Sequence, residues 1–178
     1  PIQGIPPGGG ATRVGGDRGV KAVSNTSPLI FLNATGLLSS LSELFEELLV
    51  PSAVIVELRA GEGEGYPVPE LAAMSFIQIV EPRHPPSEWL ALDLGPGELA
   101  AMSLALEHPT HVVLLDDALA RRVAEAAGLR VWGTLCILLE AKSHGIIDAV
   151  APGLSLLVDA GMWLSEDVRR RVLRLAGE

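Results

Sequence analysis

The sequence predicts an α/β fold on a parallel sheet, and three observations carry that prediction. From Lys21 onward, short aliphatic runs alternate with helix-length segments, the pattern of successive βα units. The run His111 to Leu115 is the clearest strand, and it ends in Asp116-Asp117, where a helix starts at once. The 178 residues are 48% apolar and 20% charged, so one sizeable core is expected, burying about two-thirds of the unfolded surface.

Taken in order, residues 1–20 are rich in Gly and Pro and nearly lack large apolar side chains. They read as a flexible leader that cannot fold alone. Gly8-Gly9-Gly10-Ala11-Thr12 is not a phosphate loop, since no strand precedes it and no Gly-Lys-Ser/Thr follows. The domain is expected over 21–178. Its first strand is Val20 to Ser24. Ser27 caps a helix with Pro28 at its first position, where a fixed φ and a missing amide cost nothing. Leu29, Ile30, Leu32 and Leu37 carry that helix to Gly36 or beyond. A second helix is expected from Ser40 to Glu47 and a strand from Leu48 to Val50. Pro51 opens a third helix to Ala60, ended by Gly61-Glu62-Gly63-Glu64-Gly65. Phe76 to Val80 is a strand, and Gly95-Pro96-Gly97 leads into a helix from Glu98 to Glu107. The helix after Asp116-Asp117 runs to Ala127 and is stopped by Gly128. Arg130 to Trp132 is the fifth strand, and a helix from Thr134 ends at Gly145. Helices over Asp148 to Asp159 and Ser165 to Ala176 form a C-terminal tail, the last opened by Ser165, Glu166 and Asp167.

Composition excludes several classes. The longest aliphatic stretch, Leu48 to Val56, is broken by Pro51 and Ser52 and falls well short of the ~20 residues of a spanning helix. No membrane role is expected. The single cysteine, Cys136, allows no intrachain disulfide and no cysteine zinc site, and it sits in the apolar run Thr134 to Leu139. It reads as a structural thiol in a reducing cytoplasm. The N-terminus shows no basic segment followed by an apolar one, as a signal peptide would.

In an open parallel sheet, ligands sit beyond the carboxyl ends of the strands. Two such ends carry polar residues: Asn25 with Thr26 and Ser27, and Asp116 with Asp117. Each also starts a helix, so capping is a competing role for all five. Two adjacent aspartates exceed what one cap requires. Glu57 lies among Ala53, Val54, Ile55, Val56 and Leu58, either on a solvated helix face or at the edge of a cleft. Glu98 follows a Gly-Pro-Gly turn, as a first-turn acid satisfying the helix dipole or as a site residue. Gathered together, such carboxylates would raise one another's pKa and need a compensating cation. Oxygen donors without clustered Cys or His favour Mg²⁺ or Mn²⁺ over zinc, and such ions suit phosphodiester displacement by water. Spacing along the chain does not by itself bring these residues together.

Several segments are also familiar. Val23-Ser24-Asn25-Thr26-Ser27-Pro28-Leu29-Ile30 resembles the opening strand and helix of PIN-domain proteins. So do Val54-Ile55-Val56-Glu57-Leu58, Leu94-Gly95-Pro96-Gly97-Glu98, and Leu114-Leu115-Asp116-Asp117 with Ala120-Arg121-Arg122-Val123-Ala124. Gly128-Leu129, Gly133-Thr134-Leu135 and Lys142 to Ile146 look like a prokaryotic PIN subgroup described as predicted nucleic-acid-binding. The blocks keep their order over about 22–145. The resemblance implies an α/β/α sandwich and a metal-dependent ribonuclease acting on single-stranded RNA, commonly the toxin of a toxin–antitoxin pair. The family's acidic quartet maps onto Asn25, Glu57, Glu98 and Asp116 with Asp117 beside it, and the Mg²⁺ or Mn²⁺ ligands onto Asn25, Glu98 and Asp116. Thr26 and Ser27 support the first position, and Ser27, Arg121 and Arg122 are the expected substrate contacts. The family's usual first residue is Asp. Asn25 offers an oxygen without a charge, so weaker metal affinity and activity are expected.

Net charge opposes tight non-specific RNA binding. The chain carries −9, and residues 21–178 carry −10 once Arg13, Arg18 and Asp17 are set aside. Arg169, Arg170, Arg171 and Arg174 share the last helix, as a solvated face with Val168, Val172 and Leu175 inward or as a contact for an acidic partner. Trp89, Trp132 and Trp163 read as packing residues. The apolar stretch Leu37 to Leu49 suggests a homodimer. Two other readings stay open: a module that binds RNA or an antitoxin without cutting, and an α/β protein whose carboxylates never converge.

Overall fold

A computed structural model of the chain describes residues 19–63, 67–84 and 93–178. The leader up to residue 18, Glu64, Gly65 and Trp89 lie outside the described residues. The element order is β1 (Val20–Ser24), α1 (Thr26–Ala34), a 3₁₀ turn (Leu38–Glu43), β2 (Phe45–Val50), α2 (Ser52–Gly63), a second 3₁₀ turn (Leu71–Ala73) and β3 (Ile77–Ile79). It continues with α3 (Pro96–Glu107), β4 (Val112–Leu114), α4 (Ala118–Ala126), β5 (Val131–Trp132), α5 (Thr134–Ser143), α6 (Ala151–Asp159) and α7 (Glu166–Ala176). The strands pair in the order β3-β2-β1-β4-β5, every pairing parallel.

Alternation along the strands sorts their side chains to two faces. Ala22, Leu48, Val50, Val112 and Leu114 pack with Leu29 and Leu32 of α1, Val54 and Leu58 of α2 and Ile137 of α5. Val23, Leu49, Val113 and Leu115 pack with Ala101, Leu104 and Ala105 of α3 and Ala120 and Ala124 of α4. Both faces are therefore covered, which is why these strands read as aliphatic runs. Leu29, Leu48 and Leu114 have no solvent exposure, and truncating any one to Ala should cost ~2–5 kcal/mol. A third cluster, Leu138, Val150, Leu154, Leu157 and Val172, joins α5, α6 and α7 into a helical C-terminal region. Gly153 lets α6 approach closely, because a Cβ there would stand 3.3 Å from both Leu138 methyls. The fold is the expected α/β sandwich with a helical tail.

The structure corrects five expectations. No α-helix spans Ser40 to Glu47: a 3₁₀ turn ends at Glu43 and β2 starts at Phe45. The i, i+3, i+4 spacing of Leu41, Leu44 and Phe45 mimics a helix, but the ladder to β1, Val20 opposite Phe45 and Lys21 opposite Glu47, claims the segment. The first helix starts from an N-cap position at Asn25, not Ser27, with Asn25 extended at φ −86° and ψ 176° and no side-chain capping bond. Trp132 packs against Phe45 at a ring separation of 6.3 Å, whereas Trp163 is 85% exposed and Leu175 is half-exposed. Finally, Leu38, Leu41, Leu44, Phe45, Leu48 and Leu49 are buried in the protein's own core, so that stretch is no spare dimer face. Among the described residues, no helix is long and apolar enough to cross a membrane.

Candidate functional site

The chain leaves β1 towards β2 on one side and β4 towards β5 on the other, so a crevice opens where the carboxyl ends of β1 and β4 meet. Asn25 leaves β1 and Asp116 follows β4. Ser24 pairs with Leu114, and the Asn25 amide donates to the Leu114 carbonyl at 3.2 Å. The two sequence-predicted strand ends are thus neighbours.

Asn25 stands at the cap position of α1, yet its side chain makes no capping bond. It is buried, and its Oδ1 has no hydrogen-bond partner among the described residues. Glu57, one turn into α2, ties two helix starts together. Its Oε2 accepts from the Thr26 hydroxyl, and its Oε1 accepts from the Gly97 amide at 2.7 Å. A Cβ on Gly97 would lie 2.5 Å from Glu57 Oε2 and 2.7 Å from Asn25 Oδ1. Only glycine lets α3 approach these oxygens so closely.

Glu98, at the third position of α3, reaches back to the N-cap, its Oε2 accepting from the Gly95 amide at 2.5 Å. Burial pushes the Glu98 carboxyl above its ordinary range, the Gly95 bond opposes this, and the charges of Asp117 and Glu57 push the same way as burial. Glu57, Glu98 and Asp117 therefore share one field.

Asp116 is held differently. Its Oδ1 accepts from the Thr134 amide at 2.8 Å and its Oδ2 from the Thr134 hydroxyl at 2.7 Å. Burial raises its pKa, while the two Thr134 bonds and the nearby Arg121 charge pull the other way. Arg121 Nη1 donates to the Leu115 carbonyl at 3.1 Å. Gly133 leaves room for this packing, since a Cβ there would press on Arg121 Nη1 and sit 3.2 Å from Asp116 Oδ1. Asp117 is exposed and caps α4, accepting from the Leu119 and Ala120 amides at 2.8 Å each. The aspartate pair thus divides its work between a cap and the crevice wall.

Ser27 lies half-buried in the first turn of α1, and Arg122 is exposed. Among the described residues, no three His, Cys, Asp or Glu side chains gather so as to hold a metal. The carboxylates do not close into the single cluster that the sequence suggested. Asn25, Glu57 and Glu98 meet around the Leu94–Gly97 turn, and Asp116 stands across β4's end, locked to Thr134. A hard divalent cation nonetheless fits this place. Asn25 Oδ1, buried and without a donor among the described residues, and Glu57 Oε2 both lie beside Gly97, oxygen donors of the kind hard divalent cations take. Sequence reasoning missed Thr134 and Gly133 as the groups that hold Asp116. The Gly-Pro-Gly turn was the signal for Gly97. Cys136 takes no part: burial, with the Glu140 charge, pushes its thiol up to about 12.

A parallel three-layer sheet with oxygen ligands at its central crevice belongs to the α/β proteins that act at the carboxyl edge of their strands. A family model described as a PIN domain matches residues 21–178, and the chain belongs to the PIN-domain family. PIN domains share a nuclease-type fold, are generally nucleases and typically use divalent metal ions. A search of curated proteins and a search of solved structures found no match.

Proposed function

We propose that this chain is a metal-dependent ribonuclease that hydrolyses phosphodiester bonds of single-stranded RNA with Mg²⁺ or Mn²⁺, as the cytoplasmic toxin of a toxin–antitoxin pair. The observation that supports it most is the buried, unpartnered Asn25 Oδ1 beside Glu57 over Gly97. Asn25, Glu98 and Asp116 would hold the ion, with Glu57 completing the oxygen set. When bound, the ion supplies Lewis-acid polarisation of water and relief of phosphate charge.

The chain's own residues do the rest. Thr26 and the Gly97 amide orient Glu57, the Gly95 amide orients Glu98, and Thr134 orients Asp116. Asp117 fixes the start of α4, which carries Arg121 and Arg122. Arg121 beside Asp116, with Arg122, offsets the charge of an RNA strand approaching an acidic protein, and the Ser27 hydroxyl can donate to a phosphate oxygen.

The neutral Asn25 favours a second reading, a PIN module that binds RNA or a protein partner with weak or no cleavage. One assay separates them: cleavage of a fluorescent single-stranded RNA with Mn²⁺, with and without EDTA, for the wild type and Asp116→Asn. The ribonuclease reading requires cleavage that EDTA stops and that Asp116→Asn lowers by about 100-fold or more. Unchanged cleavage in Asp116→Asn rejects the assignment, and no cleavage by the wild type leaves the binding module.

A further inference from the structure

We propose that the groove beside the Leu94–Gly97 turn holds a base of the RNA strand adjoining the scissile phosphate. The identity of the ligand rests on the ribonuclease reading; the groove itself does not. It is an open groove of about 510 Å³ lined by Ala53, Leu94, Pro96 and Leu99, together with Glu81 and Arg83. That volume lies within the range of small-ligand sites.

Two connections make groove and crevice continuous. Ala53 and Glu57 are four residues apart on α2, so one helix face supplies both a groove wall and the central carboxylate. Leu94 and Pro96 flank Gly95, whose amide holds Glu98. A ligand lying along this segment therefore runs towards the crevice.

The lining also fits one chemistry. Apolar walls of Ala, Leu and Pro cover the faces of a flat aromatic ring. Arg83 is exposed at the mouth of the groove, and a guanidinium there suits a phosphate oxygen. Glu81 is a carboxylate acceptor at the mouth, which suits the exocyclic amines of cytosine, adenine or guanine and disfavours the carbonyls of uracil. On a chain of net charge −9, such a local cation decides where an RNA strand lies.

The test is fluorescence anisotropy of labelled eight-nucleotide oligo(C), oligo(U) and abasic ribose-phosphate strands in EDTA. The wild type should bind oligo(C) at least about tenfold more tightly than the abasic strand. Ala53→Phe, which fills the groove, should remove that preference and leave abasic binding unchanged. Arg83→Ala should weaken all three strands, and Glu81→Lys, an exposed change that spares folding, should shift preference from oligo(C) towards oligo(U). Equal wild-type affinity for oligo(C) and the abasic strand overturns the proposal. So does an unaltered oligo(C)/oligo(U) ratio in Glu81→Lys, even where Ala53→Phe fails to fold by circular dichroism. Base-dependent binding that survives in a protein showing no metal-dependent cleavage would sink the nuclease reading and leave the groove standing.

Discussion

Thr134 holds both oxygens of Asp116, its amide on Oδ1 and its hydroxyl on Oδ2. One residue at the start of α5 thereby fixes the carboxylate that leaves β4, across 18 positions of sequence. Thr134 has no solvent exposure, so Thr134→Val keeps the shape and the amide bond but leaves Oδ2 without its hydroxyl donor. The expected cost is about 1–3 kcal/mol, read as a lower thermal midpoint, with cleavage reduced because Asp116 is no longer held in one orientation. An unchanged midpoint would show that water replaces the hydroxyl.

Asn25→Asp places a charge where Oδ1 has no donor and Glu57 is adjacent. In EDTA the variant should be less stable than the wild type, since two carboxylates then face each other in a buried place. With Mn²⁺ the order should reverse, with affinity rising by about tenfold because ligand charge tunes hard-cation binding. Calorimetry and thermal melts in both conditions check this, and identical Mn²⁺ affinity would remove Asn25 from the ligand set.

Gly97→Ala introduces a methyl at 2.5 Å from Glu57 Oε2 and 2.7 Å from Asn25 Oδ1. The start of α3 must shift, at about 1–3 kcal/mol, and Glu57 loses the Gly97 amide. Cleavage should fall far more than stability, which a melt and an activity assay on the same sample distinguish.

At the other end of the strands, burial holds the pKa of His111 below 6.5. Its Nε2 bond to Glu47 at 2.9 Å opposes that shift, and the charges of His108 and Lys21 add to it. Protonation therefore favours the unfolded chain. The stability contributed here is complete above pH 6.5 and declines as pH falls through that value towards the depressed one. Urea midpoints at pH 7.5 and 5.5 should differ more for the wild type than for His111→Gln.

Much of the fold was legible in the residues. Aliphatic runs placed all five strands, and Gly128 and Ser165 marked helix ends by the expected chemistry. Phe45 shows the limit. Its spacing with Leu41 reads as helical, and only pairing with Val20 makes it a strand. The site shows the same division. Asn25, Glu98 and Asp116 were visible as polar residues at strand ends and helix starts, and Glu57 as a carboxylate within an apolar helix, whereas the separate tasks of Asp116 and Asp117 were not.

The sequence by itself determined the βα order, the helix starts and the supply of oxygen donors, because periodicity and capping act within a few residues. Tertiary structure decided which donors meet. Glu57 reaches Thr26 across 31 positions and Gly97 across 40, and those bonds exist because a parallel sheet brings distant strand ends to one edge. No local pattern encodes that distance.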